Sequence, residues 1–382
     1  MRGTDVGGLR IALVLGTSAG GVGRHVRSLA EGLIGMGAQV AVLGPPATEE
    51  LFGFAATGAR FVPVTIADRP NPLGDARTVR KLRGLLRSAD VVHAHGLRAG
   101  ALAVAALTGV QPGPLRIGTA GPPVLVTLHN APPSGGGAAA RVYGLLERLV
   151  ARGATAVLGV SPDLEQRMRD LGAREVGAAL VPSPPPDEPP GLTARATVRA
   201  ELDVAERPLI VAGTSRLADQ KGLPTLLDAA AGWAARTPKP LVVIAGTGPL
   251  QAALQARIDA DDLPVRLLGW RDDIPALFSA ADVIAVSSLW EGQALMIHEA
   301  LAAGRPLVAT RVGGIPPQVG DAAILIPPND PSALREAVAS ILDDPALAVR
   351  LGAAAAQRAT ELPTEADAVR QVATRYRELI TR

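Results

Sequence analysis

Two carboxylates, Glu291 and Glu299, stand with seven residues between them in an otherwise apolar run from Trp290 to Gly314. An unpaired carboxylate is costly to bury, so each must reach water or meet a partner, and that partner need not be protein. Gly292 falls in a strand-to-helix turn, with helix expected from about Leu295. The backbone amides of Gln293, Ala294 and Leu295 could then face a phosphate or a sugar. Glu299 leans back toward the same place, because helical side chains tilt toward the N-terminus. A carboxylate there suits a grip on vicinal hydroxyls. A second chemistry-bearing stretch places Arg216 and Lys221 in a turn before a helix whose apolar positions are Leu223, Leu226 and Leu227. Two cations at a helix N-terminus oppose its dipole. A diphosphate between them would resolve that mismatch through charge-assisted hydrogen bonds. Plainer readings stand beside these: solvated surface cations, Glu291 capping its turn, and Glu299 paired with an arginine such as Arg305.

Gly16, Gly20, Gly21 and Gly23 form a glycine-rich loop that leads into a helix, where free amides favour an anion. The spacing is not G-x-G-x-x-G, and no acid closes the next strand to hold a ribose, so a nicotinamide cofactor is disfavoured. Taken alone, the loop reads equally well as a tight turn. His93 and His95 end one strand and His129 another. No third ligand lies nearby in sequence, so no metal site is expected. His93 and His95 read as hydrogen-bonded strand-end residues, and His129 as presented to the site. The stretch "ARTVRKLRGLLRSA" is a basic amphipathic helix, better read as core-facing with a solvated face than as an interfacial anchor.

These residues need elements to position them. Short apolar runs ("LRIALVLG", "QVAVLGP", "DVVHAHG", "PVLVTLH", "TAVLGVS") alternate with helical patterns, which means a parallel sheet covered on both faces. A second such series follows residue 200, from "RPLIVAGTS" to "AAILIPP". Between them "VPSPPPDEPPGLTARA" is too proline-dense for helix or central strand. The expected organisation is an α/β domain over 1–183, a Pro-rich linker over 184–200 and a second α/β domain over 201–363. Two doubly wound domains facing each other leave a cleft at the carboxyl ends of their strands, where ligands bind in open α/β sheets.

Composition narrows the classes. At 382 residues two domains are the natural prior. With no cysteine, disulfides, thiolate catalysis, iron–sulfur clusters and cysteine-ligated zinc drop out. A net charge of +2 with 2% aromatics gives no case for nucleic-acid binding. Leu9 to Leu15 is too short for a signal core, and no apolar run approaches a membrane span. A cytoplasmic protein is expected, with peripheral attachment at the inner face of the membrane left open.

Together "SAGGVGRHVRSLAEGL", "DVVHAHGLRAG", "VLVTLHN", "GVSPDLEQRMRDLGA", "GTSRLADQKGLPTLLDAAA", "VVIAGTGPL" and the long stretch containing "WEGQALMIHEALAAGRPLVATRVGG" resemble the family-4 retaining glycosyltransferases of the GT-B fold (glycosyl transferases group 1). The resemblance covers nearly the whole chain. It implies transfer of a hexose-type sugar from a nucleoside diphosphate sugar to a small-molecule, glycan or lipid-linked acceptor, with no cofactor and no metal. It also implies roles. Glu299 would hold the donor ribose, Glu291 would sit by the sugar, and the amides from Gly292 to Leu295 would hold hydroxyls and phosphate. Arg216 and Lys221 would neutralise the leaving diphosphate, Gly20 and Gly21 would approach the phosphates, and His129 would lie near the sugar's C6 hydroxyl. The helix over 364–382 would cross back onto the first domain. Gln293 stands where the family often has an aromatic, and the proline-rich link replaces the usual Asn-Gly turn. The alternatives are a nucleotide-sugar hydrolase or epimerase of the same fold and a non-catalytic sugar-nucleotide-binding protein.

Overall fold

The computed structural model describes residues 5–18, 20–67, 70–108, 121–131, 137–182, 192–204, 207–214 and 216–381. The chain divides into two compact units, Met1–Pro182 with Pro363–Arg382, and Ser183–Leu362.

Unit 1 has strands β1 (Arg10–Leu15), β2 (Gln39–Gly44), β3 (Arg60–Pro63), β4 (Val91–His95), β5 (Val124–Leu128), β6 (Ala156–Gly159) and β7 (Val176–Ala178). They pair in parallel in the order β3-β2-β1-β4-β5-β6-β7. Helices α1 (Gly21–Gly35), α2 (Pro46–Phe52), α3 (Pro72–Leu86), α4 (Leu97–Leu107), α5 (Ala138–Gly153) and α6 (Pro162–Asp170) connect them. The central strands β4 and β5 are buried at every residue. Helices cover both faces of a parallel sheet, so such strands read as continuous rather than alternating apolar runs.

Unit 2 contains β8 (Leu209–Thr214), β9 (Leu241–Ala245), β10 (Val265–Gly269), β11 (Val283–Val286), β12 (Leu307–Thr310) and β13 (Ile324–Ile326). Their order is β10-β9-β8-β11-β12-β13, again parallel throughout. Its helices are α7 (Leu192–Glu201), α8 (Leu223–Trp233), α9 (Gln251–Ala260), α10 (Ile274–Ala280), α11 (Leu295–Ala302), α12 (Ile315–Val319), α13 (Pro331–Asp343) and α14 (Pro345–Glu361). Two apolar layers, one led by Phe278, Ile297 and Leu301 and the other by Trp233, Leu226 and Leu227, sandwich the sheet. The last helix, α15 (Glu365–Ile380), belongs to unit 1 and packs on α1. It starts with a capping box between Thr364 and Asp367.

One expectation needs correction. The proline-rich linker read over 184–200 does not extend that far, because α7 begins at Leu192 and packs against α10. The prolines stop at Pro190, and the Ala- and Arg-rich "LTARATVRAE" has nothing to keep it out of a helix. The proline run itself, 183–191, lies outside the described residues.

Candidate functional site

In both sheets the order in which successive strands are added reverses beside the first strand of the unit, between β1 and β4 and between β8 and β11. Such a switch point opens a crevice at the carboxyl ends of the two strands.

In unit 2 this crevice collects the residues singled out for chemistry. The turn after β8 carries Arg216 and Lys221, and the turn after β11 carries Ser287, Ser288 and Glu291. Lys221 Nζ lies 2.6 Å from Glu291 Oε1, and the Ser288 hydroxyl donates to the same oxygen at 2.7 Å. The Glu291 side chain is 7% exposed and that of Lys221 19%. The buried carboxylate thus has a protein partner, and the lysine that opposes the α8 dipole has an anion in Glu291. Glu291 pairs with a lysine rather than capping its own turn.

Backbone geometry makes the pair possible. Gly222, at φ +59°, brings the start of α8 against the turn after β11, and a Cβ there would stand 2.0 Å from the Ser287 carbonyl oxygen. The Ser287 hydroxyl donates to the Lys221 carbonyl at 2.9 Å, and Gln220 Nε2 donates to the Trp290 carbonyl at 2.8 Å. From the other side, Gly313 at φ +49° lets the turn after β12 close on Glu291, where an added Cβ would stand 1.9 Å from its carbonyl oxygen. The Gly314 amide donates to that oxygen at 2.9 Å. Thr310, ending β12, donates its hydroxyl to the Ser288 carbonyl at 2.6 Å. Glu291 is therefore fixed through both backbone and side chain.

The remaining residues fall around this pair with differences. Helix α11 begins at Leu295, and Glu299 lies half-buried on its second turn. Arg216 is exposed on its turn. Gly292, Gln293 and Ala294 form the half-buried approach to α11. The Ala294 amide, expected to face a ligand, instead donates to Gln318 Oε1 at 2.9 Å, while Gln318 Nε2 donates to the Ala294 carbonyl at 3.2 Å. An orphan amide at a helix start takes whatever acceptor packing supplies, and α12 supplies Gln318. Arg305 lies on the turn before β12, at the amino edge of the sheet.

In unit 1 four histidines form one buried cluster. His93 Nδ1 is 2.7 Å from the Tyr376 hydroxyl and its Nε2 2.7 Å from the Thr127 hydroxyl. His95 Nδ1 is 3.2 Å from His129 Nε2, and the rings of His95 and His129 stand edge-on to His25. His95 Nε2 is buried without a hydrogen-bond partner among the described residues. Burial lowers all four pKa values, that of His25 to about 4 and that of His93 to about 3, with mutual repulsion adding to the shift of every ring but His25. The rings are neutral at pH 7. Among the described residues no group of three or more His, Asp or Glu is arranged to hold a metal ion.

The sequence reading separated His129 from His93 and His95, but His95 and His129 together line a cavity of about 270 Å³ at the carboxyl edge of this sheet, with Gly16, Thr17 and Arg98. Arg98 is held by two bonds to Asp75, at 3.1 and 2.7 Å. Gly20 precedes α1 and has open space where a Cβ would be, and Gly21 begins the helix. His25, Tyr376, Ser288 and Gln318 were not anticipated. His25 sits on the second turn of α1 and Tyr376 on a helix far along the chain, so no local spacing relates them to β4 and β5. Ser288, three residues before Glu291, offered a local cue as a hydroxyl within reach of a buried carboxylate.

Residues 194–358 match the family model described as glycosyl transferases group 1, and residues 20–184 match a glycosyl transferase 4-like domain. The chain is 35% identical over 201 residues to a D-inositol 3-phosphate glycosyltransferase of Corynebacterium efficiens, covering 49% of this chain and 47% of that one. It is 31% identical over 191 residues to an alpha-D-kanosaminyltransferase of Streptomyces kanamyceticus, covering 48% and 49%. The chain thus spans about half the length of the curated relatives it matches. Among solved structures, Anabaena Alr3699/HepE in complex with UDP and glucose superposes with a TM-score of 0.76 at 21% identity, over 96% of this chain and 98% of that one. A sucrose-phosphate synthase from Thermosynechococcus elongatus gives 0.76 at 22%, over 98% and 99%. These likenesses establish the fold class, that of the GT-B glycosyltransferases.

Proposed function

Because the chain belongs to the glycosyl transferases group 1 family, we propose that it moves a hexose-type sugar from a nucleoside diphosphate sugar to an acceptor, retaining the anomeric configuration and needing no metal ion. The carrying observation is the buried Lys221–Glu291 pair at the switch point of unit 2, where a doubly wound sheet binds its ligand.

An ammonium has three donors and no acceptor. One N–H of Lys221 goes to Glu291, and the others are available to oxygens of a diphosphate. Glu291 aims the lysine. When the bond between sugar and diphosphate breaks, negative charge grows on the leaving phosphate. A cation already in place lowers that barrier without reorganising. Arg216, earlier on the same turn, adds a planar fork suited to phosphate oxygens. Glu299 takes the ribose hydroxyls, and the second oxygen of Glu291 meets a hydroxyl of the transferred sugar. In unit 1 the cavity beneath Gly16 and His129 serves the acceptor side, where neutral imidazoles accept or donate a hydrogen bond without carrying charge. A cytoplasmic location belongs to the same proposal.

The test is calorimetric titration of the full chain with UDP, GDP and ADP, with and without magnesium, followed by proton NMR of the product anomer. UDP is the natural first ligand, since the Anabaena neighbour was solved with UDP and glucose. Binding of one nucleotide at equal affinity with and without magnesium, and a product with the donor's anomeric configuration, is the expected result. An inverted product or strict magnesium dependence would overturn the corresponding part of the proposal. Donor turnover with water alone at the full rate would favour a hydrolase.

A further inference from the structure

Helix α3, the basic amphipathic stretch of unit 1, does face the core, burying Thr78, Leu82 and Leu86. Its opposite stripe holds Leu73, Arg77, Arg80 and Lys81 and continues to Arg87 at the C-cap, all exposed. The stripe is not confined to one helix. Helices α3, α4 and α5 each lead to a strand further toward the β7 edge. Right-handed crossovers that advance in one direction lie on one face of a sheet, and α4 packs against both of the others. It is sunk between them, buried along nearly its whole length. A Cβ on its Gly100 would stand 2.6 Å from Val126 Cγ1 of β5. Helices α3 and α5 therefore form the outer ridges of this face. On α5 the exposed stripe is Arg141, Val142, Leu145, Arg148 and Arg152.

Neither stripe contains an acid. The acids of these two helices are spent elsewhere, Asp75 on Arg98 and the buried Glu147 on Arg167. Lys81 donates to the Pro63 carbonyl at 2.6 Å, and Arg83, also exposed, to that of Ala106 at 3.0 Å. Those bonds leave both charges unneutralised. Helix α6, beside α5, adds Asp163, Glu165 and Asp170 against Arg167 and Arg169, too few acids to offset the two ridges. Other helices of the chain pair their surface arginines: Arg169 with Glu165, Arg257 with Asp261, Arg358 with Glu361. Here Arg77 and Lys81, Arg83 and Arg87, and Arg148 and Arg152 are like charges four residues apart, which repel on a helix. The whole chain carries only +2, so the density is local.

The apolar members of the stripes decide what kind of polyanion fits. Leu73 is 77% exposed and Leu145 61%, and Val142 adjoins Leu145 on α5. All three lie in the first half of their helices, so they gather at one end of the ridges. Cations interleaved with exposed apolar side chains, on helices that lie flat, suit an anionic lipid surface. A nucleic acid would leave the leucines unused, and neither ridge exposes an aromatic ring to stack on bases. We propose that this face of unit 1 docks on an anionic phospholipid bilayer, with the cations of α3 and α5 among the headgroups and Leu73, Val142 and Leu145 entering the interface.

The test is co-sedimentation of the full chain with vesicles of phosphatidylcholine alone and of equal parts phosphatidylcholine and phosphatidylglycerol, at low and high salt. The chain is expected to partition onto the anionic vesicles at low salt and to stay in solution with the neutral ones. Arg77→Gln/Arg80→Gln/Arg148→Gln is expected to lower the partition coefficient ~100-fold, at about fivefold for each cation withdrawn from the surface. Arg24→Gln/Arg27→Gln/Arg60→Gln removes the same charge from exposed positions of α1 and β3 and is expected to bind as the wild type does. Leu73→Ser/Leu145→Ser should keep part of the low-salt binding and lose what survives at high salt. No binding to anionic vesicles, or equal losses in the two arginine variants, would overturn the docking face. Wild-type binding by the leucine variant at both salts would overturn the insertion. A short DNA duplex that displaces the vesicles, and that binds the leucine variant fully but the Arg77/Arg80/Arg148 variant weakly, would assign the face to nucleic acid instead. None of these readings uses a sugar donor or acceptor, so they stand apart from the fate of the transfer reaction.

Discussion

At the scale of single residues, the two glutamates that looked alike in sequence have different environments. Glu291 is buried and paired, so its removal strands Lys221 and the Ser288 hydroxyl. Glu299 is half-buried on a helix turn, and in the proposed reaction it meets only the ribose. Glu299→Ala is expected to weaken nucleotide affinity at least ~10-fold, the loss of one or two hydrogen bonds to a charged group. Lys221→Ala should lower kcat by ~10²–10³, the usual cost of one charge-stabilising donor, with a smaller effect on nucleotide Kd. Calorimetry and steady-state kinetics on the two variants separate these outcomes. Unchanged affinity in the first removes the ribose grip, and unchanged kcat in the second removes the leaving-group role. The histidines of unit 1 make a different prediction. Their folded pKa values lie below the ordinary 6.5, near 4 for His25 and near 3 for His93. The unfolded chain therefore takes up protons that the folded chain refuses. Stability from this cluster is complete above pH 6.5 and falls as pH drops from there toward 4, by at most ~1.4 kcal/mol per pH unit for each ring. His25 packs on its neighbours through ring edges, so His25→Leu removes one titrating ring without stranding a partner. Urea midpoints by circular dichroism between pH 7 and 5 should fall less steeply in that variant; parallel curves would show that the ring does not titrate on unfolding.

At the scale of elements, the βα alternation was readable because strands buried on both faces are short apolar runs, and all six strands of unit 2 were visible that way. In unit 1, β3 and β7 escaped. Both are edge strands, "RFVP" and "VGA", partly exposed and too short to form a run. Helix α7 was hidden by the prolines before it. The candidate site of unit 2 was legible in residue type, because Arg216, Lys221, Glu291 and Glu299 carry charge where charge is unexpected. What was illegible is who satisfies whom, since the Lys221–Glu291 and Ala294–Gln318 bonds join turns and helices separated along the chain. The turns themselves carry a prediction. Gly313 is left-handed and in contact with the Glu291 carbonyl, so a side chain there is strained in conformation and in space. Gly313→Ala is expected to cost more than the ~1 kcal/mol of a φ penalty alone. It should also lower kcat, because displacing this turn displaces Glu291 and with it Lys221. The check is a urea melt beside turnover. Wild-type stability and kcat together would mean the turn shifts freely, and the close approach of Gly313 would then have no bearing on the site.

At the scale of the whole molecule, the chain leaves unit 1 at Pro182 and returns to it at Pro363, so unit 1 is completed by its last twenty residues. Helix α15 buries Val369, Val372, Ala373, Tyr376 and Leu379. It approaches α1 so closely that a Cβ on Gly32 would stand 2.4 Å from Val369 Cγ2. Its Tyr376 hydroxyl reaches His93 on β4, at the middle of the sheet. Loss of the helix therefore uncovers an apolar face and strands a buried imidazole, while unit 2 loses nothing of its own. All three tryptophans, Trp233, Trp270 and Trp290, lie in unit 2, so tryptophan fluorescence reports that unit, while far-ultraviolet circular dichroism reports both. A chain ending at Leu362 is expected to keep the fluorescence transition of the full chain and to lose, or shift to much lower urea, the part of the dichroism transition that belongs to unit 1. Tyr376→Phe keeps the packing and removes only the hydroxyl. It should shift the same part by ~1–2 kcal/mol, the cost of one stranded buried partner. If the truncated chain unfolded as the full chain does by both probes, α15 would be a passenger on unit 1. If both transitions moved together, the two units would share one cooperative unfolding event, and the division drawn from their contacts would not be a division in stability.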